Sequence, residues 1–420
     1  MFAQSVRWCL AAILLAAVQT VASRAANDPA SSPAGSEDAI GFAEAVAPAA
    51  LTAFAEPPRD VAAPRPPERR PAEPPRTPPR AAPYRLASVP NMFGDSMGLG
   101  GQVQIYDTYY MGEETVASVP LGGAFSRTKI AENNKALPVD RCFFLYNHFQ
   151  NAITANSTSF FGPSESRSDP FDRFTAGFEK TFFDGCWSVE VRMPLSAGYS
   201  LNTSEFRAGA EGYGNLAVTL KRLIFQSEHA AAAVGLTFDT PTGSDATLRQ
   251  GRLGSRFTLH NDALHLLPYV GFMTAPKDRL FFHSFVQVDV PTNGNQVEYN
   301  DGAKTNSLGT LADQTLLYFD TSAGFWFRRC PHSLLSGLAG VVECHYTTTL
   351  DNAQVLTYPG FTTLRFGNLY NRYDLVHVTA GVHAEIRDNT FVRIAGVFPV
   401  SDIAQRPFDS EIQVTLERQF

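Results

Sequence analysis

Beyond its first thirty residues the chain has no apolar run near the roughly 18 residues that a membrane-crossing helix needs. It is also short of basic charge. With 34 Lys+Arg against 41 Asp+Glu and a formal charge of −7, it has no basic stripe to neutralise phosphates, which excludes a nucleic-acid partner. Charged residues make up only 18% of the 420, and of the 5 cysteines four lie past the first thirty residues, an even count that permits disulfides in an oxidising compartment. His283-Ser284 alone is too common a pair to mark a nucleophile, and no run resembles the His-Ser-Asn-Gly pattern of an outer-membrane lipase, so no enzyme is expected. Against these shortages stands one surplus, 32 phenylalanines.

The chain opens like an export signal. Arg7 precedes an apolar core from Trp8 to Ala22, and small residues follow at Ala22-Ser23-Arg24-Ala25-Ala26, giving a signal peptide over 1–26. Residues 27–90 have a different composition. Eleven prolines lie between Pro57 and Pro83, interleaved with arginine as in Pro64-Arg65-Pro66-Pro67-Glu68-Arg69-Arg70. Such a stretch lacks the backbone donors and apolar side chains of a packed unit and reads as a disordered, extended linker.

From Arg141 onward the period becomes two. Ile412, Val414, Leu416 and Phe420 alternate with Glu411, Gln413, Thr415 and Glu417; only Arg418 breaks the apolar set. Val376 to Ile386 and Trp187 to Met193 alternate in the same way, which places each set on one face of a sheet. Strands of about 10 residues behind an export leader predict an all-β fold, a transmembrane antiparallel β-barrel. Its lipid-facing side would be apolar and its lumen polar. The terminal set resembles the insertion signal read by the barrel-assembly machinery of bacterial outer membranes, with Arg418 snorkelling to the interface.

Twelve strands are expected, at 141–150, 173–183, 186–197, 214–224, 229–240, 254–273, 280–290, 314–327, 337–349, 374–386, 390–400 and 410–420. Fourteen would result if Ala124–Ala131 also paired. The connections then separate into short periplasmic turns and long outward loops at 151–172, 198–213, 241–253, 291–313, 351–373 and 401–409. Within 254–273 the apolar positions move from odd (Phe257, Leu259) to even (Leu264, Leu266, Val270, Phe272), which predicts a bulge near Asn261-Asp262. Residues 91–140 form a barrel-entry or plug segment that could fold into the lumen, and 141–420 the barrel.

The stretch Gly214-Asn215-Leu216-Ala217-Val218-Thr219-Leu220-Lys221, followed by Ala233 to Asp239 and the corner Thr240-Pro241-Thr242-Gly243, resembles the outer-membrane proteins of the meta-pathway of phenol degradation, which are related to hydrophobic-compound transporters. Lys129-Ile130-Ala131-Glu132-Asn133-Asn134 through Phe149 resembles the barrel entry of large secreted bacterial families. The first resemblance implies a channel in the bacterial outer membrane that passes small solutes, aromatic or hydrophobic ones among them. The alternative is a structural barrel whose outer loops bind a partner; an outer-membrane hydrolase ranks below both.

Projected inward from the strands are Glu179, Glu190, Arg192, Lys221, Asp239, Arg256, Asp289, Asp320, Glu343, His345, His377, His383, Glu385 and Arg393. They are the candidates for lining the lumen and setting its selectivity. His377 and His383 are too far apart on one strand to share an ion, so no metal and no cofactor is expected. Of the cysteines past the leader, Cys142 and Cys186 fall near the same rim and are the best-placed pair for a disulfide.

Overall fold

The computed structural model describes residues 84–95, 101–107, 113–119, 127–158, 164–202, 206–250, 256–300, 304–358, 362–387, 389–401 and 406–420. The expected signal peptide and most of the expected linker lie outside the described residues. A single helical turn, Tyr84–Ala87, precedes a hairpin of β1 (Gly101–Asp107) and β2 (Glu113–Val119). Then come β3 (Arg141–Thr158), β4 (Glu165–Phe182), β5 (Trp187–Asn202), β6 (Phe206–Tyr213), β7 (Leu216–Gln226), β8 (Ala230–Thr240), β9 (Ala246–Gln250), β10 (Arg256–Leu259) and β11 (His265–Lys277). The remainder are β12 (Leu280–Pro291), β13 (Asn295–Asn300), β14 (Thr305–Leu311), β15 (Leu316–Arg329), β16 (Leu335–Thr349), β17 (Val355–Tyr358), β18 (Thr362–Gly367), β19 (Asp374–Ile386), β20 (Thr390–Pro399) and β21 (Ser410–Gln419).

All pairings are antiparallel, and β21 closes onto β3, from Ser410↔Gln150 to Gln419↔Arg141. Seven wall strands are interrupted once, so that β6–β7, β8–β9, β10–β11, β12–β13, β14–β15, β16–β17 and β18–β19 each count as one. The result is a closed barrel of 12 strands. Closure of β21 onto β3 leaves the barrel without a free first or last wall strand. The fourteen-strand variant fails, because residues 127–131 run as coil and turn through the lumen.

Short turns at 183–186, 227–229, 278–279 and 330–334 mark one end of the barrel, here called the turn end, where the wall also begins and finishes. At the opposite, loop end, strands continue through much of what was expected to be loop: β6, β9, β13, β14, β17 and β18 all lie in those stretches. On β9, β10 and β13 the described apolar residues point inward, not outward. Val297 and Tyr299 on β13 are buried, as are Phe257 and Leu259 on β10. An apolar cluster of Phe149, Ile153, Phe171, Leu248, Phe257, Tyr299, Phe366 and Phe408 fills the loop end.

This inversion also explains the predicted bulge. Leu259↔Val297 and His265↔Pro291 keep one register across the break between β10 and β11, six residues along each strand. Odd positions therefore face inward on both sides of the break. The apolar residues change sides while the chain keeps its phase. Against the other neighbour the register does move by one, from Leu259↔Ala246 to His265↔Asp239.

The segment before the wall threads the lumen twice. Residues 89–95 and 128–137 are almost entirely buried inside the barrel. Between them the β1–β2 hairpin enters the wall at the loop end: β1 pairs with β18, and β2 pairs with Thr154–Thr158 of β3. Below that level β3 pairs with β21 over Arg141–Gln150. The hairpin thus completes the wall above the short strands β20 and β21. Gly94, at φ +77°, lets the two limbs touch, since a Cβ there would lie 2.5 Å from the Glu132 backbone.

Candidate functional site

The lumen is a concave polar space that the fold builds from many strands, and it is occupied by the threaded segment. Strand alternation aims one side chain in two at it. Glu179, Glu190, Arg192, Asp239, Asp289, Asp320, Glu343, His345, His377, His383 and Arg393 all face inward and are buried, as is Lys221. Glu385 is half-buried at the turn-end rim. Arg256 corrects the expectation: it is exposed on the outer face, while its neighbour Phe257 points in, because β10 stands in the inverted part of the wall.

Two limbs and twelve strands meet through charge clusters. Near the turn end, Arg141 donates to Glu179 at 2.8 Å, to Glu417 at 3.0 Å, to Glu190 and to the Asn133 carbonyl. Lys221 joins Glu179 at 2.9 Å and donates to Asn134 at 2.7 Å. Arg393 reaches the Asn91 carbonyl at 2.7 Å and the Asn133 side chain. One level up, Glu132 accepts from Arg173 and lies 3.7 Å from Arg192. The backbone N–H groups of Phe93 and Gly94 both donate to Glu343, at 2.8 Å each.

On the other side of the lumen, Lys129 pairs with Asp95 and lies 3.2 Å from Asp320, beside His345 and His377. Burial alone would raise the Asp95 carboxyl, but Lys129, His345 and His377 outweigh it and hold that carboxyl well below the usual range. Asp95, Asp320 and His345 bring ligand-type atoms within 4.8 Å of one another. The cation they hold is the chain's own ammonium group. Lys135 has the opposite fate: burial pushes it down to about 8, although it donates to the Ala87 and Val89 carbonyls at 2.9 and 3.0 Å.

Apolar contacts hold the segment as well. Leu86, Val89, Phe93, Ala136 and Leu137 pack against Phe281, Trp326 and Val341 of the wall. Inward aromatic rings lie over glycines of the next strand, Phe143 on Gly177 and Phe281 on Gly324, where an added Cβ would come within 2.1 and 2.0 Å of the ring. Sequence alternation did not reveal these pairs, because glycine carries no polarity signal. It also passed over Asn91, Asp95, Lys129, Glu132 and Asn133, which follow no period, although Lys129 to Asn134 stand inside the stretch that resembles a barrel entry.

The outer face differs sharply. Ile412, Leu416 and Phe420 are exposed and Val414 is half-buried, all four pointing outward. Phe420 stacks on Phe178 at 5.9 Å, and Lys180 lies 5.8 Å over the Phe420 ring. Arg222 covers Trp187 at 5.1 Å, and Arg418 is exposed and donates to Thr390. The expected Cys142–Cys186 bond is not made, and all four cysteines past the leader are free thiols. Cys142 sits opposite Phe178, whereas Cys186 lies beyond the end of β4, four residues and about 13 Å further along the strand.

No protein-family model and no curated protein matches the sequence. Among solved structures, the chain is similar to an outer membrane channel from Pseudomonas putida F1, with a TM-score of 0.43 and 7% identity over 68% of this chain and 97% of that one. It is similar to the P. putida toluene transporter TodX, with a TM-score of 0.39 and 8% identity over 67% and 91%. The NanC porin matches at a TM-score of 0.36 and 8% identity over 67% and 98%.

Proposed function

We propose that the chain is a bacterial outer-membrane barrel that passes small solutes through its lumen, and that the threaded segment gates this passage. The observation that carries the reading is the lining. At the level where the outer face is apolar, the wall turns Arg141, Arg173, Arg192, Lys221, Asp320 and Glu343 inward. A barrel that served only as a scaffold would gain more from an apolar core, since buried ion pairs contribute little net stability. A polar lining at lipid depth is what a solute path requires.

In this reading the turn end faces the periplasm and the loop end faces outward. Lipid contacts the aromatic and aliphatic belt. The strand bearing Ile412, Val414, Leu416 and Phe420 serves as the recognition element for the barrel-assembly machinery. The family resemblance implied aromatic or hydrophobic cargo; the charges inside the belt favour polar solutes, and we adopt the latter. Because the segment is held by hydrogen bonds, ion pairs and contacts only, it can shift without breaking covalent structure.

In planar bilayers the full chain should show small, infrequent conductance. Replacing Asn91 and Asn133 by alanine removes contacts to Glu417 and Arg393 and should raise the open fraction severalfold. Folded barrel that passes neither ions nor small solutes, with or without these changes, would sink the gated-channel reading.

A further inference from the structure

The Lys129 ammonium group sits in a pocket that two neighbouring wall strands build around it. On β15 and β16, Tyr318 stands opposite Thr347 and Asp320 opposite His345, so four inward side chains share two successive inward rows. All four are buried. The ammonium lies 3.2 Å from Asp320 Oδ1, donates to the Thr347 hydroxyl at 3.4 Å and stands 4.9 Å from the centre of the Tyr318 ring. Asp95, on the first limb, accepts from it as well. An ammonium group has three N–H donors and no acceptor. Here it meets three oxygen acceptors and the face of an aromatic ring, which together replace the water that a buried cation has lost.

The pocket is held in shape by its own neighbours. His345 Nδ1 lies 2.8 Å from the same Asp320 oxygen, and His345 Nε2 lies 3.1 Å from the Thr379 hydroxyl and 3.3 Å from Glu343. The Tyr318 hydroxyl donates to Asp289 at 3.4 Å, which fixes the ring, and His377 holds Asp95 at 2.8 Å. Accepting capacity is left over. Asp320 Oδ2 is buried and meets no hydrogen-bond partner among the described residues. A buried carboxylate oxygen without a donor is costly, and a further donor from a bound molecule would satisfy it.

We propose that this pocket recognises solutes carrying a primary ammonium group, and that Lys129 occupies it in the closed state. This rests on the gated-channel reading above and names its solute class. Lys129 is held by hydrogen bonds, charge and ring contact alone, so a free ammonium group competes with it for the same acceptors and loosens one tie of the returning limb. A quaternary ammonium carries the same charge but has no N–H donors, so it cannot bond to Asp320, Thr347 and Asp95.

The test is conductance of the full chain in planar bilayers, with methylammonium and tetramethylammonium chloride as the probes. Replacing sodium by methylammonium should raise the open fraction severalfold, and replacing it by tetramethylammonium should not. In the K129A variant, methylammonium permeability relative to tetramethylammonium should exceed that in K129A/D320N by about fivefold, the worth of one hydrogen bond of ordinary strength. Comparing the two variants cancels the difference in size between the cations. Heat-modifiable migration checks folding; should K129A not fold, the open fraction of the full chain decides alone. An equal response to both cations in the full chain, or equal ratios in the two variants, would overturn the ammonium site and leave the channel standing. No conductance from any folded form in any of these salts would overturn both.

Discussion

Two stretches of one wall strand behave oppositely. On β11, Leu266, Val270 and Phe272 point outward while His265 and Tyr269 point in. On β10, six residues earlier and in the same inward phase, Arg256 and Thr258 point outward while Phe257 and Leu259 are buried. The backbone pattern is the same, and only the medium outside differs. Around the belt the outside is apolar and the inside must satisfy charge; at the loop end the outside is wet and the inside is an aromatic core. Alternation therefore tells which residues share a face, and the surroundings tell which face is which.

That contrast can be broken most forcefully inside the belt. Arg141→Met leaves Glu179, Glu190 and Glu417 facing one another in a buried site. It should cost about 5 kcal/mol in urea unfolding, the scale of a buried pair that has lost one partner. A loss near zero would mean that the belt interior is as wet as a surface. At the loop end the cost should come from apolar loss instead. Phe257→Ala opens a hole among Tyr299 and Phe366, whose rings lie 4.6 and 5.2 Å away, and should cost about 4 kcal/mol by the same measurement. The outer face of the belt ranks next. Ile394, exposed midway along β20, should lose about 3 kcal/mol on becoming arginine when refolded into bilayers. An unchanged midpoint would place water, not lipid, around β20.

Much of this was legible in the sequence, and its limits are physical. All twelve wall strands could be placed, because within the belt lipid and lumen impose opposite polarity on alternate residues. The single continuous strand over 254–273 could be read for the same reason. Beyond the belt the rule reversed, so β13 and β14 were taken for loop and Arg256 was turned the wrong way. The phenylalanines were divided accordingly: Phe272 and Phe420 face outward, whereas Phe149, Phe171 and Phe408 build the inner cluster at the loop end. The lining residues of the belt were readable one by one, but their partners on the threaded limb were not. Asp95, Lys129 and Glu132 are placed by the path of a chain without a period, and only pairing across the lumen reveals them.

Arg256 offers the smallest effect and the cleanest discrimination. If it faced the lumen, as simple continuation of the belt rule requires, Arg256→Leu would delete a buried charge and shift stability by several kcal/mol in one direction or the other. On the outer face of a wall surrounded by water, it should change the unfolding midpoint by no more than about 0.5 kcal/mol. The companion change Thr258→Arg adds a charge on that same face and should be equally silent, although Ile394→Arg adds one on the outer face of the belt and is not. Three substitutions on one side of one sheet would then trace the boundary at which the medium changes. If Thr258→Arg cost as much as Ile394→Arg, the lipid boundary would lie above β10, and the burial of Phe257 and Leu259 would need a cause other than water outside.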